Sequence, residues 1–272
     1  MRNLPRLRKI IRFRNLPRIW RDRHGVVVAA LVFGAILIAV AGISGQQIPF
    51  LKFIPNGFIF LNPNGASQTH STNSGGIDLT GPFFQSLGTN GRSCGTCHAS
   101  SNGMSVSATD VELHFRLTQG TDPIFRPVDG SNCDHGIDLS TFQGRSQAYS
   151  LLRTRGLIRI AIAVPANANY AVTSVQNPYG CNESDTISMY RRPLPATNLR
   201  FLSAVMSDGR ESSAATGTTK MLYGNDPASL LSNLAHQAMD ATNGHAQASK
   251  PVSISDPRLP AIVNFEMGLT TA

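Results

Sequence analysis

The stretch that decides the fold is Cys94-Gly95-Thr96-Cys97-His98. Two thiols three residues apart on one turn of helix can each form a thioether with a vinyl group of haem, and the adjoining imidazole then points at the iron. Attachment of one covalent haem c explains the spacing of the cysteines and the histidine together. The motif therefore predicts a domain in which Cys94 and Cys97 hold the haem and His98 is an axial ligand of its iron.

Two other interpretations of this motif lack their sequence context. A thioredoxin-like dithiol follows a strand in a βαβ pattern, whereas residues 88–93 are typical of a glycine-rich turn. A zinc site would need a second paired-ligand motif, and the remaining cysteines, Cys133 and Cys181, stand alone in loop sequence. These two cysteines are the only ones outside the motif. In an exported domain, an even number of remaining cysteines favours a disulfide between them, and two buried free thiols are the alternative.

The positive charge of the chain is concentrated at its N-terminus. Residues 1–24 carry nine Arg or Lys and one acid, which is the whole formal net charge of +8, and the rest has 15 basic and 15 acidic residues. A nucleic-acid-binding domain would carry its basic residues on the folded part. We therefore expect no nucleic-acid partner.

An apolar run follows this basic tail. Residues 26–43 contain no charge, and 18 helical residues just span a hydrocarbon core of roughly 30 Å. The positive-inside rule then predicts a single-pass protein of a bacterial inner membrane, with the rest of the chain in the periplasm. Ala39-Val40-Ala41 is also typical of a cleavage site, so a cleaved signal peptide is the alternative to the anchor.

The domain organisation follows from these segments. We predict a basic cytoplasmic tail over 1–24, a transmembrane signal anchor over 25–43, a flexible tether rich in Gly, Asn, Ser and Thr over 44–76, and a haem domain over 77–272.

The composition of the haem domain favours short helices and long loops. Together with the haem motif and the apolar run, it leads us to predict a mainly α-helical, cytochrome c-like fold preceded by one transmembrane helix. Four helices are predicted to begin near capping residues, which are Thr80, Ser107, Asp226 and Asp256. Residues 157–164 alternate as a strand does, and their predicted partner in a β-hairpin is the segment 170–175.

The sixth ligand of the iron decides the function. A Met or His in that position gives an electron carrier, whereas an open position lets peroxide bind. Spacing alone does not choose among the candidates, which are Met104, Met189, Met206, Met221, Met239, Met267, His70, His114, His135, His236 and His245.

Three segments beyond the haem motif resemble a known family. They are residues 191–199 (RRPLPATNL), 206–211 (MSDGRE) and 236–238 (HQA). In sequence and in order they are similar to the N-terminal domain of bacterial di-haem cytochrome c peroxidases and related methylamine-utilisation di-haem enzymes. The resemblance covers residues 77–268.

The resemblance implies a role for particular residues. Cys94 and Cys97 would hold a peroxidatic haem with His98 as its proximal ligand, and Gln237 would line the distal pocket. The family places an acid/base a few residues beyond that glutamine, and here the nearest suitable group is His245, since an imidazole can take and return a proton near neutral pH. An ordinary loop histidine is the alternative interpretation of His245.

The implied activity is a cytochrome c peroxidase-type oxidoreductase. It would reduce hydrogen peroxide with electrons from a redox partner, either a small cytochrome or a quinol-linked donor. The chain departs from the family because it has one Cys-x-x-Cys-His motif, where the family has two, and Ser207 where the family usually has Trp. The alternatives are therefore a non-catalytic mono-haem carrier with a Met or His sixth ligand and a truncated di-haem peroxidase.

Overall fold

The computed structural model describes residues 51–62, 65–133, 136–164, 166–181, 186–212 and 226–271. These residues contain seven α-helices and eight strands, and the strands form four two-stranded antiparallel sheets. The predicted cytoplasmic tail and transmembrane anchor, 1–24 and 25–43, lie outside the described residues.

The elements have the following bounds. The strands are β1 (Phe53–Pro55), β2 (Phe60–Asn62), β3 (Gly65–Ser67), β4 (Thr69–Ser71), β5 (Gly76–Asp78), β6 (Ile158–Ala163), β7 (Thr186–Arg191) and β8 (Leu269–Thr271). The helices are α1 (Cys94–Cys97), α2 (Ala108–Thr118), α3 (Pro127–Gly130), α4 (Phe142–Ala148), α5 (Ser150–Arg155), α6 (Pro227–Gly244) and α7 (Leu259–Gly268). Short 3-10 turns occupy Pro82–Phe84, Ser100–Asn102 and Leu199–Phe201.

The prediction of a mainly α-helical fold is wrong. Helices share the described part of the chain with four small sheets, and only α6 among them reaches 18 residues. Six of the strands have three residues, which is too short for the alternation of apolar and polar residues to stand out in a sequence. The pairing of β4 with β8 also joins residues about 200 positions apart, with Thr69 opposite Thr271.

The prediction of a single-pass inner-membrane protein is not retained. In the part of the chain that the structure describes, no helix combines the length and the apolar character that crossing a membrane requires.

Much of the predicted tether is ordered. β1 pairs with β5 and β4 with β8, and the side chains of Ile54, Phe60 and Ile77 are buried together. β1 and β4 form strands in this polar, glycine-rich sequence because residues elsewhere in the chain supply their hydrogen-bond partners.

The predicted strand at 157–164 is confirmed as β6, but its predicted partner is wrong. β6 pairs with β7, with Ile158 opposite Arg191, and residues 170–175 are exposed and irregular. Alternation identifies a strand without identifying its partner. The predicted disulfide between Cys133 and Cys181 is confirmed.

Two of the predicted helix starts are confirmed by their caps. The backbone N–H of Asp110 donates to Ser107 Oγ at 3.1 Å at the start of α2, and that of Ser229 donates to Asp226 Oδ2 at 2.9 Å at the start of α6. The turn after Thr80 is a three-residue 3-10 turn. The last helix begins at Leu259, three residues beyond the predicted cap.

Two apolar cores lie on either side of α1. One contains Phe83, Met104 and Ile262, and Cys94 packs against it. The other contains Phe115 and Phe125, with Cys97 packed against it. Burying such apolar side chains stabilises by about 1.5–3 kcal/mol each relative to exposure, so the motif helix is held between two well-packed regions.

Candidate functional site

The motif residues form one tight helical turn. The backbone N–H of Ser93 donates to Thr96 Oγ1 at 3.0 Å, and that of His98 donates to the Cys94 carbonyl at 2.9 Å. A Cβ on Gly95 would lie 2.5 Å from a ring carbon of Phe84, so that ring packs directly on the glycine. Both motif thiols are free, because neither cysteine belongs to the disulfide.

The imidazole of His98 is oriented by a backbone carbonyl. Its Nδ1 lies 2.9 Å from the carbonyl oxygen of Met104, and because a carbonyl only accepts, Nδ1 donates in this contact. This is the usual hydrogen bond of a metal-ligating histidine. Burial lowers the pKa of His98 more than its backbone contacts raise it, which favours the neutral, ligating form.

The two thiols are protonated. Burial, followed by the charge of Glu266, raises the pKa of Cys94 to about 12, and burial also raises the pKa of Cys97. A redox-active dithiol instead has a lowered thiol pKa. The environment therefore disfavours the thioredoxin-like alternative.

Cys94, Cys97 and His98 line a cavity of about 970 Å³. This volume lies at the upper end of the range of about 300–1,000 Å³ that is typical of ligand and cofactor sites. Apolar side chains contribute much of the wall, including Val106, Ile158, Pro193, Leu199, Leu234 and Ile262. Two thiols and one oriented imidazole on an apolar cavity are the donor set that a covalent haem requires, so the residues present fit that group.

The structure brings the remaining predicted site residues to the same cavity. Gln237 lies within α6 and His245 directly follows its last residue, and both line the cavity together with the three motif residues. Of the candidate sixth ligands, the described lining contains Met206 and His245. Met221 and His135 lie outside the described residues. His114 is near Asp122, at 3.4 Å, and His236 bonds to Glu211.

His245 has a carboxylate partner that sequence analysis missed. Its Nδ1 lies 2.6 Å from Asp129 Oδ2, and Arg92 Nη1 lies 3.5 Å from the same oxygen. The guanidinium of Arg92 is itself buried and donates to the carbonyls of Pro123 at 3.0 Å and Ile124 at 2.9 Å. A histidine oriented by a carboxylate is the arrangement of general acid/base sites.

The backbone of Asp129 has an unusual conformation. Asp129 has φ 59°, ψ −24°, inside the distorted turn α3. A non-glycine residue in such a conformation costs of order 1–3 kcal/mol, and such residues cluster at functional sites. Nothing in the local sequence marks Asp129 as a partner of a residue 116 positions away.

A second missed residue is Glu266 on α7. Its side chain lines the cavity, is 6% exposed, and its Oε2 has no hydrogen-bond partner in the described part of the chain. Burial raises the pKa of this carboxyl to about 8. Glu266 is therefore a neutral polar group in the cavity wall at neutral pH.

Comparisons with known proteins return no match for this chain among family models, curated proteins or solved structures. The resemblance to di-haem peroxidases stays a prediction that rests on the three segments quoted above.

Proposed function

We propose that this chain is a c-type haem oxidoreductase that reduces hydrogen peroxide. The observation that carries the proposal is the cavity of about 970 Å³, which is lined by two free thiols and by an imidazole whose Nδ1 lies 2.9 Å from a backbone carbonyl. Cys94 and Cys97 would hold the haem through thioethers, and the imidazole of His98 would ligate the iron. The resemblance to the di-haem peroxidase family supports the same assignment.

Positive side chains at the cavity are suited to the carboxylates of haem. Arg191, Arg192 and Arg210 line the cavity, and guanidinium groups donate paired hydrogen bonds to carboxylates. Arg191 and Arg210 each lie 3.1 Å from Asp208, so the propionates would share these two guanidinium groups with that carboxylate.

Residues of the chain transfer the protons of the reaction. Reduction follows H₂O₂ + 2 e⁻ + 2 H⁺ → 2 H₂O, and the haem iron, when bound, supplies the electron-transfer chemistry. His245 Nε2 accepts a proton from peroxide and returns it to the departing oxygen. Asp129 holds Nδ1 of that ring and so orients Nε2, and Gln237 offers an amide hydrogen bond to peroxide. A small cytochrome or a quinol-linked donor supplies the electrons.

The test begins with haem attachment. The full chain is matured with the haem-attachment machinery, and covalent haem is measured by absorption and haem staining. Cys94→Ala and His98→Ala are expected to lose most of the haem. A parent chain without covalent haem, or a Cys94→Ala variant that keeps the parent's content, would refute the assignment.

Peroxide turnover tests the second half of the proposal. His245→Ala is expected to lower turnover by about 10²-fold or more, the usual contribution of a general acid/base, while haem content is unchanged. His70→Ala is the matched control, because His70 lies on β4 and is not among the described residues that line the cavity. Equal turnover in His245→Ala and the parent would show that His245 is not the acid/base.

A second function is favoured by one observation. Met206 lines the same cavity and has φ 67°, so its thioether is a candidate sixth ligand, which would make the chain an electron carrier. A low-spin haem that is indifferent to peroxide and turns high-spin in Met206→Ala would identify this function. A high-spin haem in the parent would exclude it.

A further inference from the structure

Three side chains with metal-binding donors converge at α6, and the haem proposal does not use them. They are Glu211, His236 and Asp240, whose donor atoms all lie within 4.8 Å of one another. We propose that these three side chains bind a divalent transition-metal ion of the Zn²⁺ class. The proposal does not depend on haem.

The distances suit a metal ion. His236 and Asp240 are four residues apart on an 18-residue helix, which places them on one face. His236 Nδ1 lies 2.6 Å from Glu211 Oε2 and 3.9 Å from Asp240 Oδ2. Donor atoms bound at about 2.1 Å to one ion are about 3.0–3.4 Å apart. Both pairs therefore reach ligating distance with shifts of less than about 1 Å.

The donors are carried by well-supported backbone. The N–H of Ser212 donates to the Gly209 carbonyl at 2.8 Å, and the N–H of Val205 donates to Ser212 Oγ at 2.8 Å, so the turn that carries Glu211 is braced. Val205 also packs against Leu230 and Leu234 of α6. One apolar cluster thus supports both elements, and supported donors favour metal binding.

The charges of the side chains around His236 would favour a bound cation. Glu211 is 4% exposed, and Asp240 faces the same Nδ1 of the imidazole as Glu211 does. The nearby guanidinium of Arg210 is shared, since its Nε lies 3.8 Å from Glu211 and its Nη1 lies 3.1 Å from Asp208. The imidazole pairs with both carboxylates, at 2.6 Å and 3.9 Å, and carries at most one positive charge against their two negative charges. A divalent ion would offset both carboxylates of the cluster.

The donor set selects the class of metal. One imidazole nitrogen and two carboxylate oxygens suit Zn²⁺ and its borderline neighbours, whereas Ca²⁺ takes six to eight oxygen ligands. The side chains of His236 and Asp240 are 38% and 53% exposed, which leaves room for water to complete the coordination. Arg210 and Gln237, which are the sequence neighbours of Glu211 and His236, line the cavity. The ion would therefore be bound by residues next to the cavity lining.

The test is a Zn²⁺ titration of the full chain by calorimetry. All proteins carry Cys94→Ala and Cys97→Ala, because the motif thiols would otherwise bind zinc. The parent of this series is expected to bind one equivalent. His236→Ala and Asp240→Asn are each expected to weaken binding by about tenfold or more, and His70→Ala by less than about twofold. Co²⁺ in place of Zn²⁺ gives a visible spectrum that reports the ligand change directly.

Folding does not confound the result. Asp240 is more than half exposed, so Asp240→Asn retains the fold, which far-UV circular dichroism checks. No binding by the parent overturns the proposal. Binding by His236→Ala and Asp240→Asn that equals the parent's also overturns it, as does a loss in His70→Ala that equals theirs.

Discussion

Glu266 should make the stability of the haem-free chain fall as the pH rises. Burial raises the pKa of its carboxyl to about 8 in the folded protein, against 4.5 for the unperturbed group. Between these values the folded chain keeps the proton and the unfolded chain loses it. The stabilisation is therefore complete below about pH 4.5 and is lost progressively as the pH rises to about 8.

The magnitude follows from the size of the shift. One pKa unit corresponds to roughly 1.4 kcal/mol, so a shift from 4.5 to about 8 represents about 5 kcal/mol of unfolding free energy across that pH range. Glu266→Gln removes the titration and should flatten this part of the profile. Burial lowers the pKa of His98, so the contribution of His98 to the unfolding free energy is lost as the pH falls. Comparing the parent with Glu266→Gln separates this effect from that of Glu266.

The assay is urea unfolding of the haem-free parent and Glu266→Gln at several pH values from 4.5 to 9. Glu112→Gln is the matched control, because hydrogen bonds from Arg153 and Arg116 lower the pKa of Glu112, so its contribution is lost in acid and not in alkali. Parallel profiles for the parent and Glu266→Gln between pH 5 and 8 would refute the reasoning. So would an equal flattening in Glu112→Gln.

Three further predictions concern the site and its frame. Asp129→Asn should lower kcat for peroxide by about tenfold to a hundredfold while KM and haem content stay at parent values, and an unchanged kcat would remove Asp129 as the positioning residue. Gly95→Ala should reduce haem attachment, since its Cβ would lie 2.5 Å from a neighbouring ring carbon; parent-level haem staining would contradict this. Replacing Cys133 and Cys181 together by Ala should cost about 4 kcal/mol in the chain-entropy model, because the bridge closes a loop with a sequence separation of 48; calorimetric melting checks this, and an unchanged midpoint would contradict it.

The fold predicted from the sequence differs from the structure where strands pair with segments far away in the chain. The segment from 53 to 71 looked like a tether because its sequence is rich in small polar residues, yet β4 pairs with β8 at the far end of the chain. The partner of β6 was misassigned to the nearest segment for the same reason. The alternation of apolar and polar residues identifies a strand, but it does not indicate which segment pairs with that strand.

The candidate site divides in the same way. The sequence by itself determined the Cys-x-x-Cys-His motif and the capped starts of α2 and α6, and it favoured the disulfide, because each rests on spacing or on hydrogen bonds within a few residues. Only the tertiary structure paired His245 with Asp129, placed Glu266 in the cavity wall and brought Met206 and His245 to the cavity that the motif lines. These are contacts between residues far apart in the chain. They depend on how the two cores pack around α1, and no local pattern records that packing.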